Sequence, residues 1–76
     1  MIAVKSTNIV GIDYDEVHCV LTIAFRSGWI YEYTHVPDSV YDDLLTAHLA
    51  EKSVGDIFIE QVRDKFPYTR RKAEQY

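Results

Sequence analysis

A chain of 76 residues is long enough for one small domain with a thin core, because a chain of this length buries only roughly 60% of its unfolded surface. With 47% hydrophobic and 26% charged residues, its composition is typical of a globular protein rather than a disordered one. One cysteine excludes an internal disulfide and a thiolate metal cluster, and no apolar run approaches the roughly 20 residues of a membrane span. We therefore expect a cytoplasmic domain with no membrane partner, in which Cys19 is a buried, unreactive thiol.

The net charge of −4 is unevenly distributed along the chain. Residues 8–60 carry ten acidic and two basic side chains, a net charge of −8, whereas residues 61–76 carry five basic and two acidic ones, a net charge of +3. Only the C-terminal end is therefore predicted to attract phosphate.

Alternating apolar residues predict three strands, at residues 8–14, 17–25 and 29 to about 35, which together form an antiparallel meander. The third strand contains the stretch "WIYEYTH", in which aromatic side chains occupy every second position. Side chains at this spacing share one face of a strand, so the rings either form the core or present a stacking surface.

The loop before the third strand decides between these two interpretations. A two-residue loop would require Ser27 at positive φ, where serine is unfavourable, and would turn the tyrosines away from the apolar face of the second strand. A three-residue loop of Arg26, Ser27 and Gly28 instead uses glycine in the left-handed region. We prefer the second loop, which places Tyr31 and Tyr33 in the core as its central motif.

This loop also predicts the strand register. Ile23 should face Tyr31, and Leu21 should face Tyr33.

Two amphipathic helices follow the predicted strands. The first begins after Pro37 and ends near Leu49, and the second begins at Ser53, whose hydroxyl can cap it, and stops at Phe66 before a proline. The fold class is therefore α+β, a three-stranded antiparallel β-meander followed by two helices packed on one sheet face. We expect a single domain over residues 1–76, with a core at 8–68 and a mobile basic tail at 69–76.

Several short motifs in order resemble the KTSC domain, a family named from the C-terminal region of some lysyl-tRNA synthetases. The matching motifs are "NIVGIDYD", "LTIAF", "YEY", "VP", "SVGDIF" and "FPY". The resemblance implies a domain without an established activity, for which RNA binding has been suggested from the synthetase association. Family members often have a basic residue at the position of Val54 and an asparagine at that of Ile59, so this chain lacks two of their polar groups.

Basic residues with aromatic neighbours at the C-terminal end are the candidates for nucleic-acid contact: Arg63, Lys65, Arg70, Arg71 and Lys72. Trp29, close to the hairpin turn, is the candidate for base stacking. The competing interpretation is that Arg63 and Lys65 complement the C-terminal dipole of the second helix while the tail is merely solvated. Because the rest of the chain is acidic, the expected RNA contact, with a tRNA-like ligand, is short and localised.

A protein-interaction module, an adaptor or a small inhibitor, is the alternative function. Its candidate surface combines Asp38, Asp42 and Asp43 of the first helix with the apolar Ile59, through which the chain could also form a homo-oligomer. The acids have a simpler explanation, since negative charge is stabilised early in a helix.

We predict that the chain is not an enzyme and uses no cofactor or metal. The three histidines are separated by 17 and 13 residues, which fits no standard ligand spacing, and the three glycines are isolated rather than grouped in a phosphate-binding loop.

Overall fold

A computed structural model describes residues 1–73, which form one antiparallel sheet and two helices. The elements in chain order are β1 (Ile2–Ala3), β2 (Ile9–Asp15), β3 (Val20–Phe25), β4 (Trp29–Tyr33), α1 (Asp38–Leu49), α2 (Val54–Gln61) and β5 (Tyr68–Lys72). The strands lie in the order β1-β2-β3-β4-β5. The α+β class is confirmed, but the prediction of three strands is wrong, because a further strand lies at each edge of the meander.

Neither edge strand has a sequence pattern that would reveal it. β1 is only two residues long, and β5 consists of Tyr68 followed by polar and basic residues that are all exposed. β5 is held by backbone pairing along β4 rather than by burial of alternate side chains. The segment expected to be a mobile basic tail from Thr69 therefore continues as a strand to Lys72, and residues 74–76 of that expected tail lie outside the described part of the chain.

The hairpin between β3 and β4 has the predicted three-residue loop and register. Gly28 adopts φ +97°, and its N–H donates to the carbonyl of Phe25 at 3.0 Å. Leu21 faces Tyr33 and Ile23 faces Tyr31. Both tyrosines therefore lie on the same sheet face as the buried side chains of β3, as predicted.

The turn between β2 and β3 differs from the prediction, because it occupies residues 16–19 and β3 begins only at Val20. The carboxylate of Asp15 accepts hydrogen bonds from the N–H groups of Val17 and His18 at 3.0 and 3.2 Å, which stabilises the turn. Cys19 closes it with φ +56° and is exposed. The prediction of a buried thiol is therefore wrong, since Cys19 belongs to the turn and not to the strand.

The helices follow the predicted pattern except at the end of α2. α1 ends at Leu49 as expected, and the Ser53 hydroxyl caps α2 by accepting from the N–H of Asp56 at 3.1 Å. α2 ends at Gln61 rather than at Phe66. Three residues after that end, Asp64 adopts φ +61°, a left-handed conformation that an α-helix cannot include.

Both helices pack on the sheet face that carries Tyr33. The buried residues form one cluster of side chains from the sheet, both helices and the connecting segments: Val4, Ile9, Ile12, Leu21, Ile23, Tyr33, Val36, Val40, Leu44, Ala47, Val54, Phe58 and Val62. At the α1 end, the ring of Tyr14 stacks on that of Tyr41 with centroids 5.2 Å apart, and the Tyr14 hydroxyl donates to the carbonyl of Val36 at 2.7 Å.

Replacement of Gly28 tests the hairpin. Gly28→Ala should lower the free energy of unfolding by about 1–2 kcal/mol, because alanine is strained at φ +97° although no atom lies within 4 Å of an added Cβ. Gly28→Asn should cost less, since asparagine tolerates the left-handed region better. Urea unfolding measures both variants, and an unaffected Gly28→Ala would contradict the assigned turn.

Tyr33 should contribute to a loss of stability at alkaline pH. Burial raises the pKa of the Tyr33 hydroxyl from 10.0 to about 12. Because the folded state holds this proton more tightly than the unfolded chain, the associated stability is complete below pH 10 and is lost as the pH rises towards 12. Chemical unfolding across this range should show a smaller loss in Tyr33→Phe than in the wild type, and equal losses would contradict this origin.

Candidate nucleic-acid interface

The end of the sheet formed by β4 and β5 brings three aromatic residues of β4 beside three residues of β5. Directly opposite residues of antiparallel strands point to the same face. The pairs are Trp29 with Lys72, Tyr31 with Arg70, and Tyr33 with Tyr68. We call these six residues the aromatic-basic face.

Arg70 and Lys72 are held against aromatic rings. The guanidinium carbon of Arg70 and the ammonium nitrogen of Lys72 each lie 4.8 Å from the centroid of the Trp29 ring. Such cation–π contacts contribute roughly 0.5–1 kcal/mol at exposed sites. Arg70 also donates a hydrogen bond to the Tyr31 hydroxyl at 3.3 Å, which raises the pKa of the guanidinium above its usual value.

Neither cation is paired with an acid in residues 1–73. Lys72 makes one further polar contact, a hydrogen bond of 3.5 Å to the carbonyl of Ser27. Both side chains are exposed.

A groove of about 430 Å³ adjoins this face between α2 and the sheet. Its aromatic lining consists of Phe25, Tyr31, Tyr33, Phe58 and Tyr68. The rings of Tyr31 and Tyr68 stack with centroids 5.2 Å apart, and Tyr31 meets the edge of Phe25 at the same distance. The aromatic side chains that line the groove therefore hold one another in position. We call this lining the tyrosine wall.

The two central tyrosines differ in exposure. Tyr33 is only 4% exposed and packs edge-on against Phe58 of α2, with centroids 5.9 Å apart. Tyr31 is half-buried and contributes to the groove. Both tyrosines lie on the core face of the sheet, but Tyr33 alone of the two belongs to the buried core, and Tyr31 packs against it partly buried.

The five basic residues predicted to contact nucleic acid do not form one surface. Arg70 and Lys72 lie on the aromatic-basic face, and Arg63 lines the groove, with its Nε 4.0 Å from a carboxylate oxygen of the exposed Asp64. Lys65 is exposed in the turn after α2 and does not line the groove.

Arg71 lies on the opposite sheet face, because it alternates with Arg70 along the strand. Its Nε lies 3.5 Å from the carboxylate of Glu32.

Several residues that line the groove were not identified as site residues from the sequence, among them Tyr68 and Arg26. Tyr68 is 52% exposed and stacks on Tyr31, a contact that depends on the pairing of β5 and has no local signal in the chain. Arg26 also lines the groove, but its guanidinium donates to the carbonyls of Thr7 and Ser6 at 3.1 and 3.0 Å. This residue therefore fixes the segment before β2.

The residues predicted for protein contact are separated in the same way. Ile59 is 54% exposed and lines the groove, whereas Asp38, Asp42 and Asp43 are exposed on α1 and do not line it. Asp38 lies near Tyr14, and Asp42 lies near Tyr41, which stacks on Tyr14.

Two tyrosines near these acids have raised pKa values, and burial is the main cause for both. Burial raises the pKa of Tyr14 to about 12, with smaller contributions from a side-chain hydrogen bond with Cys19 and the charges of Asp38 and Glu16. Burial likewise raises the pKa of Tyr41, and nearby acids add to the effect.

Within residues 1–73, no group of three or more histidine, cysteine, aspartate or glutamate residues could hold a metal ion. The closest pairing of titratable groups is an exposed hydrogen bond of 2.8 Å between His18 and Asp15, which lowers the pKa of the Asp15 carboxyl. Neither described helix is sufficiently long and apolar to cross a membrane.

Comparison with known proteins identifies the family of this chain. The family model of the KTSC domain matches residues 5–66. A protein of Tsukamurella paurometabola, named only "Protein", is 37% identical over 54 residues, which cover 71% of this chain and 81% of the relative. The crystal structure of a KTSC domain protein from Yersinia pestis is 30% identical and superposes with a TM-score of 0.79, covering 96% of this chain and 94% of that one. The matched motifs, the fold and the shared identity together show that the chain belongs to the KTSC domain family.

Proposed function

We propose that this protein is a non-catalytic binding domain that holds a short single-stranded segment of RNA, tRNA-like in origin, on its aromatic-basic face, and that it acts in the cytoplasm. The observation that carries the proposal is the cross-strand pairing of Trp29 with Lys72 and of Tyr31 with Arg70. This pairing sets surfaces for base stacking directly beside cations for phosphate.

The chemistry of the face suits a single strand rather than a duplex. Bases stack on exposed aromatic rings only when they are free of a duplex stack, and each such contact is worth about 1–3 kcal/mol. Trp29 is half-buried and therefore retains an accessible part of its ring. Arg70 and Lys72 lie over that ring, each 4.8 Å from its centroid, so their positive charge adjoins the phosphate of a nucleotide that stacks on the remaining ring surface.

The net negative charge of the protein would repel RNA, but the fold separates the basic face from many of the acids. The acids around Tyr14 belong to β2, its following turn and α1, whereas Arg70 and Lys72 belong to β5, three strands away. Three strand spacings amount to about 14 Å, which exceeds the Debye length of about 8 Å at physiological ionic strength. The basic face is thus screened from the acids of β2 and its following turn, although Glu32 and Asp64 lie closer to it, and the separation favours a contact of a few nucleotides.

The proposal depends on residues beyond the family match. The family model ends at residue 66, before β5 begins at Tyr68. RNA binding is therefore proposed for this chain from its own side chains, and not for every member of the family.

The alternative function is a protein-interaction module that uses Asp38, Asp42 and Asp43 or the exposed Ile59, including self-association through Ile59. The exposure of Ile59 supports it, but this residue and the acids belong to different surfaces. The alternative predicts that Ile59→Asp or Asp42→Lys alters the partners captured from the native host, or that light scattering detects a dimer sensitive to Ile59→Asp. If neither variant changes partners or assembly, a protein-binding role for these residues is excluded.

Substitutions in β5 provide a matched test of RNA binding. Arg70→Ala and Lys72→Ala should each weaken binding of a short single-stranded RNA about fivefold at low salt, equivalent to roughly 1 kcal/mol. Each should also reduce the slope of log affinity against log salt by about 0.7, because one phosphate contact is lost. Fluorescence titration across a salt series measures both quantities.

Arg71→Ala is the control, since it removes the same charge from the same strand but on the opposite sheet face. It should leave the affinity nearly unchanged. Equal effects of Arg70→Ala and Arg71→Ala would show a diffuse charge effect, and absence of binding by the wild type at low salt would reject the proposal.

A further inference from the structure

We infer that the groove between α2 and the sheet is a subsite for one unstacked nucleotide, with its base against the tyrosine wall and its phosphate at Arg70. This inference rests on the proposed function and adds to it a specific ligand, a nucleoside monophosphate unit extruded from its neighbours.

The size and lining of the groove suit one nucleotide. A volume of about 430 Å³ lies in the range of roughly 300–1,000 Å³ that small-molecule sites occupy. One side is formed by Phe58 and Ile59 of α2, and the other by side chains of the sheet such as Phe25 and Tyr31. A groove between a helix and a sheet suits a base that has left its stack better than a base pair within a duplex.

The tyrosine wall is held in position before a ligand arrives. Tyr31 stacks on Tyr68 with 30° between the ring planes, and its hydroxyl accepts the hydrogen bond from Arg70. Tyr68 is 52% exposed, so its ring offers area for a base. A positioned aromatic surface loses little side-chain freedom on binding, which favours affinity for a small ligand.

Arg70 joins the groove to the rest of the aromatic-basic face. It contacts the Tyr31 hydroxyl at the groove wall and the Trp29 ring beyond it. Trp29 and Tyr31 are two residues apart on β4, or about 6.8 Å, which is twice the rise of stacked bases at about 3.4 Å. Because Tyr31 is already stacked on Tyr68 and Tyr33, the base in the groove would stack on the exposed Tyr68. The phosphate between this nucleotide and one at Trp29 would then lie close to Arg70.

Polar side chains at the groove provide the means to recognise the edge of a base. Asn8 supplies an amide with donors and an acceptor, Ser27 a hydroxyl, and Asp64 a carboxylate. The groove lining contains two arginines, Arg26 and Arg63, and one acid, Asp64. It is therefore net positive in a protein whose net charge is −4. This local charge is complementary to a phosphate-bearing ligand.

The test compares adenosine 5′-monophosphate, uridine 5′-monophosphate, adenosine and inorganic phosphate, with a single-stranded hexanucleotide as the longer ligand. Chemical-shift titration of the full chain should show that both monophosphates perturb Gly55, Phe58 and Tyr68, more strongly than adenosine or phosphate does at equal concentration. Tyr68→Leu keeps an apolar side chain but removes the stacking ring, and should weaken monophosphate binding at least about fivefold.

Ile59→Ala tests the opposite wall with little risk to folding, because the residue is exposed and alanine is a strong helix former. It should weaken monophosphate binding about twofold or more. The matched control is Leu49→Ala, a residue of α1 that is 73% exposed and does not line the groove, and this variant should bind as the wild type does.

The outcomes separate the two proposals. Hexanucleotide binding that depends on Arg70, without perturbation of the groove and without an effect of Tyr68→Leu or Ile59→Ala, would overturn the nucleotide subsite and leave the proposed function intact. Equal responses to phosphate and to the monophosphates would also overturn the subsite, since the base would then contribute nothing. If the wild type binds none of the nucleic-acid ligands, both the subsite and the proposed function are overturned.

Discussion

The left-handed conformation of Gly28 is the constraint on which the rest of this structure depends. A loop of three residues, rather than two, fixes the register of β4 against β3, and a slip of one residue would move every side chain of β4 to the other face. Tyr33 would then be lost from the core, and the aromatic side of β4 would no longer face α2. The pairing of β5 with β4 then decides which residues of β5 share a face with the rings.

The basic strand β5 combines two physical roles at the edge of the sheet. Exposed edge strands are prone to pair with other chains, and charged side chains are one means of preventing this. Because side chains alternate along β5, its basic residues lie on two faces of the sheet. Arg70 and Lys72 lie beside Trp29, whereas Arg71 lies on the other face beside Glu32. The alternation of a strand thus divides a continuous run of basic residues into two surfaces of different chemistry.

The domain also separates charge of opposite sign across the width of its sheet. Acids gather around Tyr14 and Tyr41 at β2 and α1, and the exposed cations next to aromatic rings lie at β5. A net charge of −4 therefore describes neither end of the molecule. At this edge of the sheet, aromatic residues serve partly in packing and partly in contact with solvent. On β4, Tyr33 is buried in the core, whereas Tyr31 is half-buried and keeps contact with solvent.

The amino-acid sequence by itself determined the features that arise from local chemistry. The alternation of apolar residues, the glycine of the hairpin and the serine cap of α2 predicted the α+β class, the β3–β4 register and the start of α2, because each depends on residues close together in the chain. Features that depend on distant segments were decided only by the tertiary structure. β5 has no apolar alternation and forms through backbone bonds to β4, so its pairing, the contacts of Arg70 and Lys72 with Trp29, and the Tyr31–Tyr68 wall could not be read from local pattern. The same limit explains the exposed Cys19, whose place in a turn follows from the hydrogen bonds of Asp15 rather than from the alternation around it.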